Sequence, residues 1–204
     1  MLPSLDLTNI LMLIVGILIA LTIHEMMHAL VGFKLGDDTA AEEGRISLNP
    51  LKHIDPLMTV VLPVATIILL GTPILAAKPV PFNPERVRWG DYGAALIALA
   101  GPFSNLVLAI AGSLAMHFVT GSNTLLFQFI ATFTVLNVSL FVFNMIPIPP
   151  LDGSRLLYAF APDPVRRFME SLEQVGLFIV FGLILVGFGS VVSQWVSVVL
   201  NLLP

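Results

Sequence analysis

Apolar residues run almost without interruption from Ile10 to Leu35, and no charge falls between Asp6 and Glu25. At ~1.5 Å per residue such a run crosses a hydrocarbon core of ~30 Å as one helix, so a first helix is expected over 9–35. A polar stretch follows over 36–56, in which Asp37, Asp38, Glu42 and Glu43 are expected to be solvated. Within it, 44–50 alternates in character and stops at Pro50, the pattern of a short strand. Asp55 and Pro56 read as the N-cap and first residue of the next segment. Residues 57–77 are again apolar but are broken by Pro63, Gly71 and Pro73, and 78–84 is too rich in proline for a helix. Trp89 and Tyr92 mark a membrane interface. They precede a second helix over about 92–119 and, after a turn at Gly121, Ser122 and Asn123, a third from about Leu125. A short helix is expected over 154–160, with Asp163, Arg166 and Arg167 in a surface loop. The last apolar stretch, 172–203, is longer than one span needs. Gly187 and Gly189 are expected to divide it into a spanning helix and an interfacial tail with Trp195 at the surface.

Composition turns this pattern into a fold class. With 57% hydrophobic and 11% charged residues over 204 positions, and a mean hydropathy of +0.97, the chain is an all-α polytopic membrane protein. The expected architecture is a helical bundle with a small membrane-associated β or extended region, forming one membrane-embedded domain over 1–204. The first apolar run lacks a basic lead and reads as a retained helix, not a signal peptide. A net charge of −4 with scattered Lys and Arg offers no basic patch, which argues against nucleic acid as a partner. The absence of cysteine excludes disulfides and thiolate metal ligands. Lys and Arg fall in or beside the loops 36–56, 78–91 and 153–167, whereas 120–124 has none. The positive-inside rule puts those three loops in the cytoplasm, and this requires 57–77 to be re-entrant.

Candidate chemistry centres on His24-Glu25-Met26-Met27-His28, an H-E-x-x-H motif in the last third of the first helix. Residues four apart share a helix face, so His24 and His28 point the same way, as two imidazole ligands of one zinc ion would. Glu25 lies about 100° round from His24, where it could act as a general base toward water. An idle acid at that depth would cost roughly 2.5–3.5 kcal/mol. The motif needs a third ligand. His53 and Asp55 are potential donors, although Asp55 fits a cap without a metal. Asp152, the only acid between Asp91 and Asp163, is either a ligand or the cap of the short helix that follows it. Asn105 is interhelical glue or a site residue, glue being favoured by residue type, and lone His117 reads as structural.

These stretches together resemble the site-2 protease family of intramembrane zinc metalloproteases in its compact bacterial and archaeal form, without a PDZ or CBS domain. The resemblance covers about residues 20 to 155. It rests on His24-Glu25-x-x-His28, Asn49-Pro50 through His53-Ile54-Asp55-Pro56, Lys78-Pro79-Val80-Pro81, Gly101-Pro102-x-x-Asn105, and Asn144-x-x-Pro147 ending in Leu151-Asp152-Gly153. It implies that Asp152 is the third ligand of one Zn2+ per chain, that Asn144 helps hold the substrate, and that Glu25 is the catalytic base. It implies cleavage of transmembrane protein substrates within the lipid bilayer, and the positive-inside reading of the loops places the site toward the cytoplasmic side of the cell membrane. A substrate held for cleavage must be extended, and Arg45 to Leu48 is the expected strand edge for pairing with it. A metal or ion transporter and an inactive membrane-binding relative are the competing readings. No internal repeat supports the first, and Glu25 argues against the second.

Overall fold

The computed structural model describes residues 6–54, 80–119, 124–173 and 175–204. Helix α1 spans Leu7–Lys34, and the Asp6 carboxylate accepts from Thr8 N at its start. A single turn, α2 (Thr39–Glu42), and a 3-10 turn at Pro50–Lys52 follow. Helix α3 is Asp91–Met116, and α4 is Leu125–Asn144, capped by the Thr124 hydroxyl accepting from Phe127 N at 3.2 Å. The remainder is α5 (Asp152–Phe160), α6 (Asp163–Glu173), α7 (Gly176–Leu185) and α8 (Phe188–Leu202). α1, α3 and α4 are long and apolar enough to cross a membrane. The multi-pass helical architecture read from the apolar pattern is therefore the one observed.

The centre of the bundle is α3. Half of its spanning window is buried, against 28% for α1 and 22% for α4, whose outer faces are left for lipid. The cause is its run of small residues, which lets neighbouring backbones approach closely. Ala98, Gly101, Ala109, Gly112 and Ser113 are all buried, and a Cβ on Gly112 would lie 2.4 Å from Thr134 Oγ1 of α4. α1 and α3 run antiparallel: His24 meets Asn105, His28 meets Ile97, and Arg88 N donates to Leu35 O at 2.9 Å. The end of α1 and the entry to α3 thus lie side by side at one end of the bundle. The segment expected to be re-entrant, 57–77, lies outside the described residues, as do Asp55 and Pro56 of the expected cap.

Four local expectations are corrected. The short strand over 44–50 does not form, and no strand occurs among the described residues. Side chains take the main-chain groups that a ladder would need: Ser47 Oγ accepts from Asn49 N, Asn49 Oδ1 accepts from Leu51 N, and the His53 ring bonds to Ser47 O. The Arg45 side chain turns inward, 1% exposed, and donates to Lys52 O. Asp37 is buried instead of solvated. It accepts from Thr39 N, Thr39 Oγ1 and, across the chain, Asn83 N at 2.7 Å. Burial alone would raise its pKa, but these donors hold its carboxyl below the ordinary value.

The stretch around Asp163, Arg166 and Arg167 is a helix, α6, and not a loop. Arg166 ties it to the start of α3 through Asp91 at 2.6 Å and donates to Ala161 O at 2.8 Å. The C-terminal stretch divides at Gly187, whose φ of 91° suits glycine, as the pattern predicts. Its first part, expected to span, is the 10-residue α7, which is not among the helices long and apolar enough to cross a membrane. In its second part, expected to be an interfacial tail, Val192, Val196 and Val199 of α8 pack on Ala109, Val138 and Val142 of α3 and α4.

Candidate metal centre

The site is assembled at the end of the bundle where α1 finishes and α3 starts. His24 and His28 are 4% and 7% exposed, one turn apart on α1, facing α3. Two structural features bring Asp152 to them. α4 returns the chain to the same end, and α5 begins immediately against it because Gly153 has no side chain: a Cβ there would lie 2.4 Å from Met145 O. Asp152 is not the cap of α5. Leu151 holds that position, without any side-chain cap bond. The carboxylate instead turns to the imidazoles, with Oδ2 3.2 Å from His24 Nε2 and 3.4 Å from His28 Nε2. These are the three groups, among the described residues, whose ligand atoms gather within 4.8 Å.

The hydrogen bonds behind the rings decide what these atoms can do. His24 Nδ1 lies 2.6 Å from Asn105 Oδ1, and His28 Nδ1 lies 2.7 Å from the main-chain oxygen of Ile97. Both partners are acceptors, so each Nδ1 carries the proton and each neutral ring presents its Nε2 lone pair forward. The two Nε2 atoms stand 3.0 Å apart, and Asp152 Oδ2 is buried with no hydrogen-bond partner. Three electron-pair donors therefore converge with no proton assigned between them, an arrangement that is repulsive unless a cation sits among them. The space is kept open by Gly101, where a Cβ would lie 2.3 Å from His28 Nε2 and 2.6 Å from His24 Nε2. The residues present fit a zinc ion: two imidazoles and one carboxylate, with no thiolate required.

Glu25, the residue after His24 on α1, is also buried, 7% exposed. Asn144 is the last residue of α4, and its amide donates to Leu140 O at 3.0 Å on its own helix. Of the predicted residues the structure brings together His24, His28 and Asp152, with Glu25 next to His24 on α1, while the contacts recorded for Asn144 do not join it to them. Asn105, for which glue and a site role are both open from residue type, does both: its amide bonds across helices to Asn137, and its oxygen faces His24 Nδ1. The signal available in the sequence was its position one helical turn after Gly101, on the face that meets His24. His53 bonds to Ser47 O and His117 to Ser113 O, so both serve local structure.

Comparison with known proteins was decisive for the family. The chain is 38% identical over 177 residues to "Putative zinc metalloprotease YwhC" of Bacillus subtilis, a match covering 83% of this chain and 77% of that protein. The model of peptidase family M50 matches residues 111–187, the part that holds Asn144 and Asp152. The chain belongs to peptidase family M50. This is the site-2 protease family that the motifs resemble. Two further relatives are each named "Putative zinc metalloprotease Rip2". The one from Mycolicibacterium smegmatis is 31% identical over 85% of this chain and 66% of its own length. The one from Mycobacterium tuberculosis strain Erdman is 30% identical over the same shares. No solved structure matches the chain.

Proposed function

We propose that this intramembrane zinc metalloprotease of family M50 hydrolyses peptide bonds in or near transmembrane segments of membrane proteins. His24, His28 and Asp152 hold one zinc ion, Glu25 is the general base, and Asn144 holds the substrate. The observation that supports this most is the convergence of three lone-pair donors, His24 Nε2, His28 Nε2 and Asp152 Oδ2, around the space left by Gly101. Membership of a peptidase family does not favour the transporter or the inactive relative.

A zinc ion held by three protein ligands supplies Lewis acidity to a scissile carbonyl and lowers the pKa of water. The chain's own residues do the rest. Glu25, the residue after His24 on the same helix, takes the proton from the attacking water and later passes it to the leaving amine. Its burial excludes bulk water from competing for that proton. Asn144 points one amide hydrogen at Leu140 O; the other is offered to a carbonyl of the substrate. A transmembrane substrate must be locally extended before attack, because its helical amides are otherwise bonded internally. The expected result for the purified protein is cleavage of a model transmembrane substrate that stops on chelation and returns with added zinc. Cleavage insensitive to a chelator would overturn the reading.

The 204 residues act as a single membrane-embedded domain in the cell membrane, with the site toward the cytoplasm. Lys34, Arg86, Arg88, Arg155 and Arg166 belong to the end of the bundle that carries the site, whereas residues 117–119 and Thr124, at the other end, include no Lys or Arg. The positive-inside rule then orients the site inward. An Asn83→Cys variant is expected to react with a membrane-impermeant thiol reagent only after the cells are opened. Labelling from outside intact cells would reverse the orientation.

A further inference from the structure

We infer that Asn105 and Asn137 form a directional hydrogen-bond relay that sets the tautomer of His24 and keeps the site open to a cation. This rests on the reading of His24, His28 and Asp152 as metal ligands. Both asparagines are fully buried, 0% exposed, one on α3 and one on α4, so their amides must be satisfied within the bundle. Asn137 Nδ2 donates to Phe133 O at 2.8 Å. Asn105 Nδ2 donates to Asn137 Oδ1 at 2.9 Å and reaches Ala20 O at 3.5 Å. Asn105 Oδ1 faces His24 Nδ1 at 2.6 Å.

The chain of bonds has one permitted direction. Phe133 O is a main-chain carbonyl and can only accept, so Asn137 must turn its NH2 to it and its oxygen to Asn105. Asn105 must then turn its NH2 to Asn137; its contact with Ala20 O, at 3.5 Å, is at the limit of a hydrogen bond and does not fix the amide by itself. The oxygen of Asn105 is left for His24, whose Nδ1 must donate. Flipping either amide would set two oxygens or two N–H groups against each other in a water-free core, at a cost of roughly 1–3 kcal/mol for each group left unsatisfied.

The consequence concerns the front of the ring. With its proton moved to Nε2, His24 would donate to His28 Nε2 at 3.0 Å or to Asp152 Oδ2 at 3.2 Å. The donor set would then satisfy itself and resist a cation. His28 is protected from this by the carbonyl of Ile97, which no side-chain substitution removes. His24 depends on a replaceable side chain and, behind it, on a second one. Asn105 and Asn137 are therefore positioning residues. Neither touches the ligand space, and each acts through the imidazole.

The test combines 15N NMR of the histidine rings in the folded metal-free protein with zinc affinity measured by chelator competition. In the wild type, His24 is expected to be protonated at Nδ1. Asn105→Leu should move that proton to Nε2 and weaken zinc binding about 10- to 100-fold, as loss of an outer-shell partner does. Asn105→Asp keeps an acceptor behind the ring and should retain the Nδ1 tautomer, although it no longer donates to Asn137 Oδ1. His28 should stay protonated at Nδ1 throughout. If Asn105→Leu does not fold, Asn137→Leu carries the same test, with a shift in the same direction. Wild-type tautomer and affinity in a folded Asn105→Leu or Asn137→Leu protein would overturn the relay. Asp152→Ala separates this from failure of the metal site: undiminished zinc binding there would overturn the site itself, whereas loss of zinc there with none in the asparagine variants would overturn the relay alone.

Discussion

Glu25→Gln is expected to lower cleavage by about 10²–10⁴-fold, the range for removing a positioned general base, while about one zinc per chain remains bound. The amide has nearly the shape of the carboxylate, so the packing around this buried position is preserved, but it cannot take a proton. The ligand atoms of His24, His28 and Asp152 gather without Glu25, which is why metal content should not follow activity. Asp152→Ala provides the contrast. It removes the only anionic ligand and leaves two Nε2 lone pairs 3.0 Å apart, so zinc and cleavage should be lost together. Metal analysis beside a cleavage assay reads both variants. Zinc lost from Glu25→Gln would make Glu25 a ligand, and full zinc in Asp152→Ala would deny Asp152 that role.

Gly101→Ala should abolish zinc binding although it adds only a methyl group and lies on neither histidine helix turn. Its Cβ would enter the space between the donors, 2.3 Å from His28 Nε2 and 2.6 Å from His24 Nε2. Neither ring can swing aside without breaking its bond to Ile97 O or Asn105 Oδ1. The affinity loss should therefore exceed the roughly 10–100-fold that follows loss of an outer-shell partner. Alanine is also a better helix former than glycine by about 1 kcal/mol, so a purely structural Gly101 would tolerate the change. The distinguishing result is a helical protein, by circular dichroism, that no longer retains zinc. Stoichiometric zinc and normal cleavage in this variant would place the metal elsewhere.

How much of this was legible in the sequence depends on the range of each interaction. The pairing of His24 with His28 follows from helix geometry alone, because one turn of α1 contains both. The apolar runs located α1, α3 and α4, and the break at Gly187 was visible because a local backbone requirement sets it. By contrast, 44–50 alternates like a strand yet has no strand partner among the described residues, and its side chains took up the main-chain bonds. Periodicity describes a face, not what lies opposite it. The solvated reading of Asp37 failed because its partner, Asn83, lies beyond the whole 57–77 segment.

The metal site divides along the same line. Sequence by itself determined the donor types, their spacing on α1 and the acid beside them, since each is a property of one helix. It left Asp152 suspended between cap and ligand, and Asn105 between glue and site. Only the tertiary structure placed Asp152 against the two imidazoles and Asn105 against His24. α3, lined with small residues, lets α1 approach until Asn105 meets His24 and Gly101 faces the two rings, and the close contact at Gly153 starts α5 where Asp152 reaches them. Those are contacts between helices far apart in the chain, fixed by the packing of surfaces and not by any repeat along one of them.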